Sequence, residues 1–518
     1  MHTNSNDWTH LERLEHAARA LEPDAAELDE LFGKTVAYAR RHLSELAHAP
    51  AYVEREDAGR ALTNSPITED GISIDEALTL LRDNVDSIGI DPASSRFLGY
   101  IPGGGLVHSA LGDLLAAVAN RYAAVYYAGP GAVRMEHMLV RWMASLFGYP
   151  DSSGGFLSSG GSMANLSAIV AAREVHGVSG NEIERSVVYL TNDTHYCVGK
   201  ALRIAGLSKC PGRFVQMDEN FRMSSSALEE TIRKDKKAGL RPWLLVSSTG
   251  TTNTGAVDPI GELGDIASAH GLWHHIEGAY GAFFILCQEG REILHGMDRS
   301  DSIIMDPHKT LFLPYGTGAV IVKERNHLFN AHRAWADYLQ DIEQEMELVA
   351  SAFLSPELTK HFRALRMWLP LKVIGVAAFR AALSEKIQLA RYFHERLQQV
   401  PGFEVGPYPD LSVVTFRYVP PRGDANLFNQ QLTDLIHADG RVFLSSTLLQ
   451  DKLTLRLAVV CFRTHRDQID LTLEILLEKV KMLLDLPADK RPAAPDSHVF
   501  RVTSSTNTSQ ESSSAVGP

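Results

Sequence analysis

The sequence predicts an α/β fold in which a large domain with a mixed, mostly parallel sheet precedes a smaller α+β domain. Two observations predict it. From about Arg96 to Val373, short β-rich runs alternate with helical patterns, as they do in successive βαβ units. Beyond Val373 a long helical pattern ends at Pro401-Gly402, and strand-like runs and a further helix follow. In such folds, ligands bind outside the carboxyl ends of the parallel strands.

The first 95 residues are predicted to form an N-terminal helical segment. Between Asp7 and Tyr52 the chain is rich in Ala, Leu and Glu, and its apolar residues recur at helical spacing. Pro23 and Pro50 interrupt this pattern and indicate helix boundaries. A further helix is predicted from Ile74 to Arg82.

The large domain is predicted to span residues 96–373. Several of its runs are short, apolar and rich in β-branched or aromatic residues, which is typical of strands buried on both faces of a parallel sheet. The clearest are Ser186–Leu190, Trp243–Val246 and Gly271–Ile276.

The smaller domain is predicted to span residues 374–488. It combines helical patterns with strand-like runs, and the predicted elements are a helix at Ala377–Gln399, strands at Leu411–Tyr418 and Leu453–Val460, and a helix at Asp467–Leu484. The tail at 489–518 is dominated by Pro, Ser, Thr and Asn and is predicted to be disordered, because it has too little apolar surface to bury.

Composition limits the classes of partner and the compartment. The chain has 518 residues, 45% of them hydrophobic, and a formal net charge of −13, which argues against nucleic acid or an anionic membrane as a partner. No apolar run is long enough to span a bilayer, and the polar start at Met1–Asp7 has no signal-peptide pattern. The four cysteines lack metal-ligand spacing, so we expect no metal site and a cytoplasmic protein with reduced thiols.

The most informative stretch is Asp306-Pro307-His308-Lys309, which follows the apolar run Ile303-Ile304-Met305. A lysine at the end of a buried strand is partly desolvated, and desolvation disfavours the ammonium form. We therefore expect a free amine near neutral pH, which could form a Schiff base with an aldehyde cofactor. Taken alone, the four residues are equally compatible with a loop that carries a surface lysine.

Two upstream segments favour the first interpretation. Glu277 ends another apolar run and could supply the anion that pyridoxal phosphate (PLP) requires opposite its ring nitrogen. Gly160-Gly161-Ser162 opens an apolar helical pattern, and small residues at a helix N-terminus form a seat for a phosphate group. The order of phosphate seat, carboxylate and lysine therefore points to a PLP site.

With these residues in view, the chain resembles the group II PLP-dependent amino-acid decarboxylases, which include the aromatic-L-amino-acid, histidine, tyrosine and glutamate decarboxylases. The resemblance runs from about Phe97 to Arg463 and rests on Pro307-His308-Lys309, Gly250-Thr251-Thr252 and the His275–Tyr280 segment. It implies the PLP-dependent transferase fold of type I, the aspartate aminotransferase-like fold. It also implies a homodimer whose N-terminal helices embrace the partner subunit.

The resemblance also assigns roles to individual residues. Lys309 would carry PLP as a Schiff base, and His195 would lie against the cofactor ring and shape the site for the substrate carboxylate. The cofactor-binding positions it implies are Gly161, Ser162, His195, Thr252, Glu277, Asp306, His308 and Lys309. Tyr100, Ile101 and Pro102 match the segment that lines the substrate side-chain site.

Two departures from the family pattern leave the product open. Glu277 stands where the family usually has Asp, and it is one methylene longer. The family's loop tyrosine, which protonates Cα from the neighbouring subunit, falls at Ser351 or Phe353 when counted back from a well-matched segment, while Tyr338 is the only tyrosine in the broader loop. An L-amino-acid decarboxylase that forms an amine and CO₂ is the leading hypothesis. An oxidative enzyme giving aldehyde, hydrogen peroxide and ammonia, and a weakly catalytic PLP-binding dimer, are the alternatives.

Overall fold

The computed structural model describes residues 5–333 and 350–485. Tyr338 and the predicted disordered tail at 489–518 lie outside the described residues. The α/β fold is confirmed, because the model contains a seven-stranded mixed sheet and a separate four-stranded sheet, both covered by helices. The predicted domain boundaries remain predictions.

The N-terminal segment is helical where the sequence predicts it. Its elements are α1 (Ser5–Ala18), α2 (Ala25–Glu45), β1 (Tyr52–Val53), α3 (Arg60–Thr63), α4 (Ile74–Leu81) and β2 (Gly89–Ile90), with β1 and β2 paired as a short antiparallel ribbon. Asp24 and Ser73 cap α2 and α4: each side chain accepts a hydrogen bond from the N–H of the glutamate three residues on, and that glutamate side chain accepts from the capping residue's N–H. These capping boxes explain why the helices begin where they do.

The large sheet has the strand order β3-β9-β8-β7-β6-β4-β5. Its strands are β3 (Gly154–Ser158), β4 (Ser186–Leu190), β5 (Gly212–Phe214), β6 (Arg241–Ser248), β7 (Trp273–Glu277), β8 (Ser302–Met305) and β9 (Gly318–Val322). The strand β9 alone runs antiparallel to the other six strands of this sheet. The three predicted strands correspond to β4, β6 and β7, and all three are parallel and almost wholly buried, as expected for strands covered on both faces.

Helices cover both faces of this sheet. They are α5 (Val107–Ala119), α6 (Pro130–Leu146), α7 (Gly161–His176), α8 (Tyr196–Ile204), α9 (Ser225–Lys237), α10 (Ile260–His270), α11 (Gln288–Ile293), α12 (Pro307–Thr310) and α13 (Arg325–His332). One apolar core lies on each side: Met143, Phe283 and Ile303 belong to the first, and Ala168, Trp243 and Ile304 to the second. Alternate side chains of β8 therefore enter opposite cores, and the polar residues that follow the strand lie at the sheet's edge.

The C-terminal part follows through α14 (Arg363–Val373) and α15 (Val376–Gln398). An antiparallel sheet of order β10-β11-β13-β12 comes next, built from β10 (Phe403–Val405), β11 (Val413–Tyr418), β12 (Ser445–Leu449) and β13 (Lys452–Ala458), with α16 (Ala425–Asp439) and α17 (Arg466–Asp485) packed on it. The predicted helices and strands of this region are present, with ends shifted by at most two residues.

Several direct contacts join the C-terminal part to the large domain, and two of them lie at the ends of the small sheet's strands. Arg222 pairs with Asp410, whose carboxylate also accepts from the Val257 N–H at 3.0 Å. The Leu98 N–H donates to the Phe443 carbonyl at 2.9 Å. In the described part of the chain no single helix is both long and apolar enough to cross a membrane, although α14 and α15, bent by 91°, pass that test as a pair on length and composition.

Candidate active site

Lys309 lies one turn past the end of β8, on the short helix α12, with its side chain 23% exposed. Its Nζ is 3.2 Å from Asp306 Oδ2. Burial alone would lower the pKa of Lys309, but the Asp306 and Glu277 carboxylates outweigh it, so the pKa is raised. The expectation of a free amine near neutral pH is therefore wrong for the protein without cofactor, because two buried carboxylates hold the ammonium form.

Glu277 ends β7 and pairs in register with Ile304 of the neighbouring strand β8. It is 5% exposed, and burial raises its pKa to about 7, with Asp306 adding to the effect and Lys309 opposing it. A carboxylate this poorly solvated lacks a full counter-charge, since Lys309 is shared with Asp306. A protonated ring nitrogen would supply the missing positive charge.

The N-terminus of α7 provides the predicted phosphate seat. The helix begins at Gly161, and the exposed Ser162 leaves its first turn open to a ligand. A Cβ on Gly318 would lie 2.6 Å from Gly160 Cα and 2.8 Å from Asp306 Oδ1, so only glycine fits between the strand β9 and this turn. The seat therefore has both the helix dipole and free space for an anion.

Asp306 and His308 flank this seat. Asp306 is buried, and its Oδ1 has no hydrogen-bond partner. His308 Nδ1 donates to the Thr317 carbonyl at 2.6 Å, which leaves Nε2 directed toward Asp306 Oδ2 at 3.7 Å. Burial lowers the pKa of His308, so the imidazole is neutral at physiological pH. Asp306 Oδ1 is therefore a buried acceptor that no donor in the described part of the chain satisfies.

His195 caps α8, since its Nδ1 accepts from the Cys197 N–H at 3.4 Å. That hydrogen bond places the imidazole proton on Nε2. Burial lowers the pKa of His195 to about 4, with the positive charge of Lys309 adding to the effect. A neutral, partly buried imidazole beside the lysine is suited to lie against an aromatic ring.

Thr252 belongs to a turn that the small domain holds in place. Its carbonyl oxygen accepts from the guanidinium of Arg456 on β13, which also donates from Nε to the Asn253 carbonyl at 2.7 Å. The Asn253 amide in turn donates to Asp193 at 3.0 Å, two residues before His195. Arg456 was not predicted, because a lone arginine in a strand carries no local signal.

Arg456 is a fully buried cation that has no carboxylate within salt-bridge distance among the described residues. Desolvation lowers its pKa to about 10. Three of its nitrogens donate to neutral acceptors, the third being Ser445 Oγ at 2.9 Å. It therefore brings uncompensated positive charge to the Gly-Thr-Thr turn.

The predicted substrate segment Tyr100-Ile101-Pro102 runs directly beside Lys309. A Cβ on the next residue, Gly103, would lie 2.2 Å from the Lys309 carbonyl oxygen, so the two backbones are in contact. Tyr100 adopts a positive φ of 47° and lies in an aromatic cluster in which its ring centroid is 5.9 Å from that of Phe443. The structure thus brings the predicted substrate wall to the predicted lysine.

Behind Glu277 lies a polar network that sequence reasoning missed. Trp273 Nε1 donates to Ser302 Oγ at 2.8 Å, and Ser302 Oγ lies 2.7 Å from His275 Nδ1. His275 Nε2 donates to Asn165 Oδ1 at 2.7 Å, and Asn165 Nδ2 donates to Cys197 Sγ at 3.1 Å. The chain of donors fixes the strand that ends in Glu277 against the helix that forms the phosphate seat.

These residues fit PLP. The glycine-lined start of α7 can take a phosphate group, Lys309 can reach an aldehyde, and Glu277 can face a ring nitrogen. His195 is neutral and adjacent. The roles of these individual residues toward the cofactor remain predictions, and within the described ranges no cluster of three or more His, Cys, Asp or Glu side chains could hold a metal ion.

Comparison with known proteins agrees with the site. The model of the pyridoxal-dependent decarboxylase conserved domain matches residues 62–419. An aromatic-L-amino-acid decarboxylase from Bacillus atrophaeus is 34% identical over 472 residues, which cover 90% of this chain and 97% of that protein. A phenylacetaldehyde synthase from Arabidopsis thaliana is 29% identical over 405 residues, covering 76% and 83% of the two chains.

Solved structures show the same fold. The structure of Catharanthus roseus tryptophan decarboxylase in complex with L-tryptophan has a TM-score of 0.81 and 24% identity, and the match covers 89% of this chain and all of that one. The fold is therefore the type I fold of PLP-dependent enzymes. The family match spans more than half of the sequence and includes the phosphate seat, Glu277 and Lys309. The chain belongs to the pyridoxal-dependent decarboxylase family, and it is a PLP-dependent amino-acid decarboxylase.

Proposed function

We propose that this enzyme decarboxylates an aromatic L-amino acid to the corresponding amine and CO₂. The observation that carries the proposal is the contact of Gly103 with the Lys309 backbone, which brings the Tyr100–Pro102 segment and its aromatic cluster next to the turn that carries Lys309. A flat aromatic side chain would pack against such rings with offset or edge-to-face geometry. The 34% identity with a bacterial aromatic-L-amino-acid decarboxylase supports the same substrate class.

The environment of each active-site residue suits one role in this reaction. Bound PLP supplies an electron sink for the electrons released at Cα. Lys309 would hold the cofactor through its amine and give it up to the substrate amine. Glu277 would hold a proton on the ring nitrogen, and His195, with its proton on Nε2, would orient the substrate carboxylate. The apolar wall excludes water from that carboxylate, which favours its loss as CO₂.

The product depends on the group that protonates Cα. Ser351 and Phe353 form one turn of 3₁₀ helix, in which Ser351 is buried and the Phe353 ring packs 6.3 Å from that of Phe329. Both are thus held within the folded domain of their own subunit. That leaves Tyr338 and His195 as the candidate proton donors, and with either of them we propose the amine as the product. The oxidative reaction that gives an aldehyde is the alternative function, because a phenylacetaldehyde synthase is among the relatives.

A single assay separates these functions. The purified holoenzyme would be given a panel of aromatic, acidic and aliphatic L-amino acids while CO₂, oxygen uptake and peroxide are recorded. We expect stoichiometric amine and CO₂ from an aromatic substrate without oxygen uptake. Peroxide with aldehyde would establish the oxidative reaction instead, and a PLP absorbance band without turnover of any amino acid would establish a non-catalytic PLP protein.

We also propose a homodimer. Large apolar side chains on the N-terminal helices and on α5 are exposed in the single chain, among them Trp8, Leu11, Leu28, Phe32, Leu111, Leu115 and Val118. Large exposed apolar side chains in such number are typical of a protein–protein interface. Light scattering at assay concentration should give twice the chain mass, and deletion of residues 1–50 should shift the protein toward the monomer.

We further propose a cytoplasmic location. All four cysteines, Cys197, Cys210, Cys287 and Cys461, are free thiols. Unpaired thiols are stable in a reducing compartment. Fractionation of cells that express the tagged protein would test the location, and recovery with an extracytoplasmic marker would contradict it.

A further inference from the structure

Arg366 on α14 is a largely buried arginine whose side chain is 11% exposed. A guanidinium presents its five N–H donors in one plane, so it can bind two groups on opposite sides at once. One side of Arg366 binds a carboxylate on α5, and the other binds the return Tyr315–Thr317, which leads from α12 into β9. Arg366 therefore lies between α5 and the segment that follows Lys309.

Asp113 on α5 takes the first side of the guanidinium. Arg366 Nε donates to Asp113 Oδ1 at 2.7 Å, and Nη2 pairs with Oδ2. The two helices approach closely because residue 112 is glycine: a Cβ on Gly112 would lie 2.9 Å from the Leu365 carbonyl oxygen and 3.1 Å from Arg366 Cα. A bidentate pair fixes the plane of the guanidinium as well as its position. Asp113 thus sets the direction of the remaining donors.

The remaining nitrogen, Nη1, holds the return. It donates to the Tyr315 carbonyl at 2.8 Å and to Thr317 Oγ1 at 2.9 Å. Gly316 between them has a positive φ of 95°, which favours glycine and lets the return turn tightly beside the guanidinium. Thr317 has no exposed surface, so water cannot replace the donor that Arg366 supplies.

Thr317 passes this restraint on to His308. The Thr317 carbonyl accepts from His308 Nδ1 at 2.6 Å and from the His308 N–H at 3.3 Å. Because a carbonyl oxygen can only accept, the proton of the neutral imidazole lies on Nδ1. The tautomer and the direction of the His308 ring therefore depend on a carbonyl whose own residue is held by Arg366.

The His308 ring borders the phosphate seat at α7. A Cβ on Gly160, the residue before that helix, would lie 3.6 Å from His308 Cε1. Gly318, which follows Thr317, contacts the same turn, since a Cβ on it would lie 2.6 Å from Gly160 Cα. The segment that Arg366 holds therefore meets the seat at two points, one through a side chain and one through the backbone.

We propose that Arg366 is a positioning residue for the phosphate end of the cofactor site. It keeps Thr317 and His308 in the arrangement in which the imidazole borders the predicted seat without filling it. Its own charge is paired with Asp113, so it acts through hydrogen bonds to the return and not as a ligand of the phosphate. Without Arg366 the return is free to shift, and the His308 ring loses its fixed acceptor.

The test compares two aldehydes that differ in the phosphate. Full-length protein stripped of cofactor would be titrated with PLP and, separately, with pyridoxal, which lacks the phosphate, while the absorbance of the Schiff base is recorded. Both aldehydes need Lys309, so a general loss of structure weakens both, whereas a change at the seat weakens PLP binding selectively. Arg366→Gln should weaken PLP binding about tenfold and pyridoxal binding by less than about twofold, because the hydrogen bonds of a charged donor are lost.

Arg363→Gln is the matched control. Arg363 lies on the same helix, its side chain is 10% exposed, and it pairs with Glu357 at 3.1 Å, but it makes no hydrogen bond to the return in the part of the chain that the structure describes. Arg363→Gln should lower the melting temperature while leaving the ratio of the two dissociation constants unchanged. Ser162→Ala changes the seat itself and should weaken PLP binding alone.

Three variants then decide the proposal. If Arg366→Gln does not fold, Thr317→Val carries the test, because it removes only the hydroxyl that Arg366 holds, and PLP affinity should fall several-fold. Equal losses of PLP and pyridoxal affinity in the Arg366 or Thr317 variant would show a purely structural role and overturn the proposal. An unchanged ratio in Arg366→Gln would overturn it too, whether or not Ser162→Ala weakens PLP binding.

Discussion

Two regions of the molecule break the usual rule of apolar inside and polar outside, and they break it in opposite directions. At the carboxyl ends of β7 and β8, Glu277 and Asp306 are buried around a lysine that cannot neutralise both. On the N-terminal helices, Trp8 and Phe32 are exposed although they are large and apolar. The first region has too much buried charge, and the second has too much exposed apolar surface.

The contrast shows what each region requires from outside the chain. Buried negative charge is stabilised by a cationic partner, and the protonated ring nitrogen of the cofactor has the right sign. Exposed apolar surface is stabilised by another apolar surface, which a second subunit can supply. The single chain therefore indicates a small charged ligand at the strand ends and a protein partner at the N-terminal helices.

The largest effect should follow removal of the lysine. Lys309→Ala abolishes covalent capture of PLP and should lower turnover on the order of 10⁴-fold or more. Borohydride reduction of the wild-type holoenzyme followed by peptide mapping should place the reduced adduct on Lys309. An adduct on any other lysine would refute this assignment.

Removing the buried carboxylate should come next. Glu277→Ala leaves the ring nitrogen without its anion, at a cost of about 3–5 kcal/mol, so PLP retention should fall by two to three orders of magnitude. Glu277→Asp should retain partial activity, because the pocket is shaped for the longer side chain. PLP titration by absorbance measures the cofactor affinity of both variants, and a turnover assay measures the activity of Glu277→Asp. Wild-type affinity in Glu277→Ala would show that the ring nitrogen has another partner.

The same residue gives a pH signature in the protein without cofactor. The pKa of Glu277 is raised from 4.5 to about 7 by burial, so its carboxyl group contributes stability that is fully present below about pH 4.5. That contribution is lost as pH rises through about 7. The melting temperature of the apoprotein relative to that of Glu277→Gln should therefore decline across this window, and parallel curves would contradict the burial argument.

Asp306→Asn tests which of the two buried carboxylates holds Lys309 in the ammonium form. It removes the carboxylate 3.2 Å from Lys309 Nζ, so the pKa of the lysine should fall, and at pH 7 about tenfold more amine should be free to react. Stopped-flow absorbance would follow PLP capture from pH 6 to 10, with the wild type as reference. An unchanged pH profile would mean that Glu277 alone holds the ammonium.

The smallest expected effect tests the exposed region. Phe32 is 46% exposed in the single chain, so in a monomer Phe32→Ser should change the free energy of unfolding by no more than about 0.5 kcal/mol. If the residue packs against a partner subunit, the cost should be about 2 kcal/mol and depend on protein concentration. Phe214→Ser, at a site 64% exposed on the edge strand β5, is the control. Equal small effects in both variants would argue against an N-terminal interface.

Much of the fold could be predicted because it depends on local patterns. The strand Ser186–Leu190 was predicted with the bounds that the structure shows, since a short β-branched run between helical patterns allows few alternatives. The phosphate seat, Glu277 and Lys309 follow three separate elements, and the sheet order brings β7 and β8 side by side. Parallel neighbours necessarily present their carboxyl ends at the same edge of the sheet, so the predicted residues had to meet.

The charge state of Lys309 could not be predicted in the same way. Strand-end burial argues for a free amine, whereas the structure holds an ammonium, because a pKa depends on the sum of burial and all nearby charges. Arg456 was missed for a related reason: it lies on a different sheet and reaches the Thr252 turn only across the interface between the two.

By itself, the sequence determined the α/β fold, the family and the set of residues able to hold PLP, since these rest on spacing along one chain. Only the tertiary structure decided how those residues share charge and which segment touches Lys309. The physical reason is that burial and electrostatic interaction act through space. They are set by groups that are distant in sequence and become neighbours only when the chain has folded.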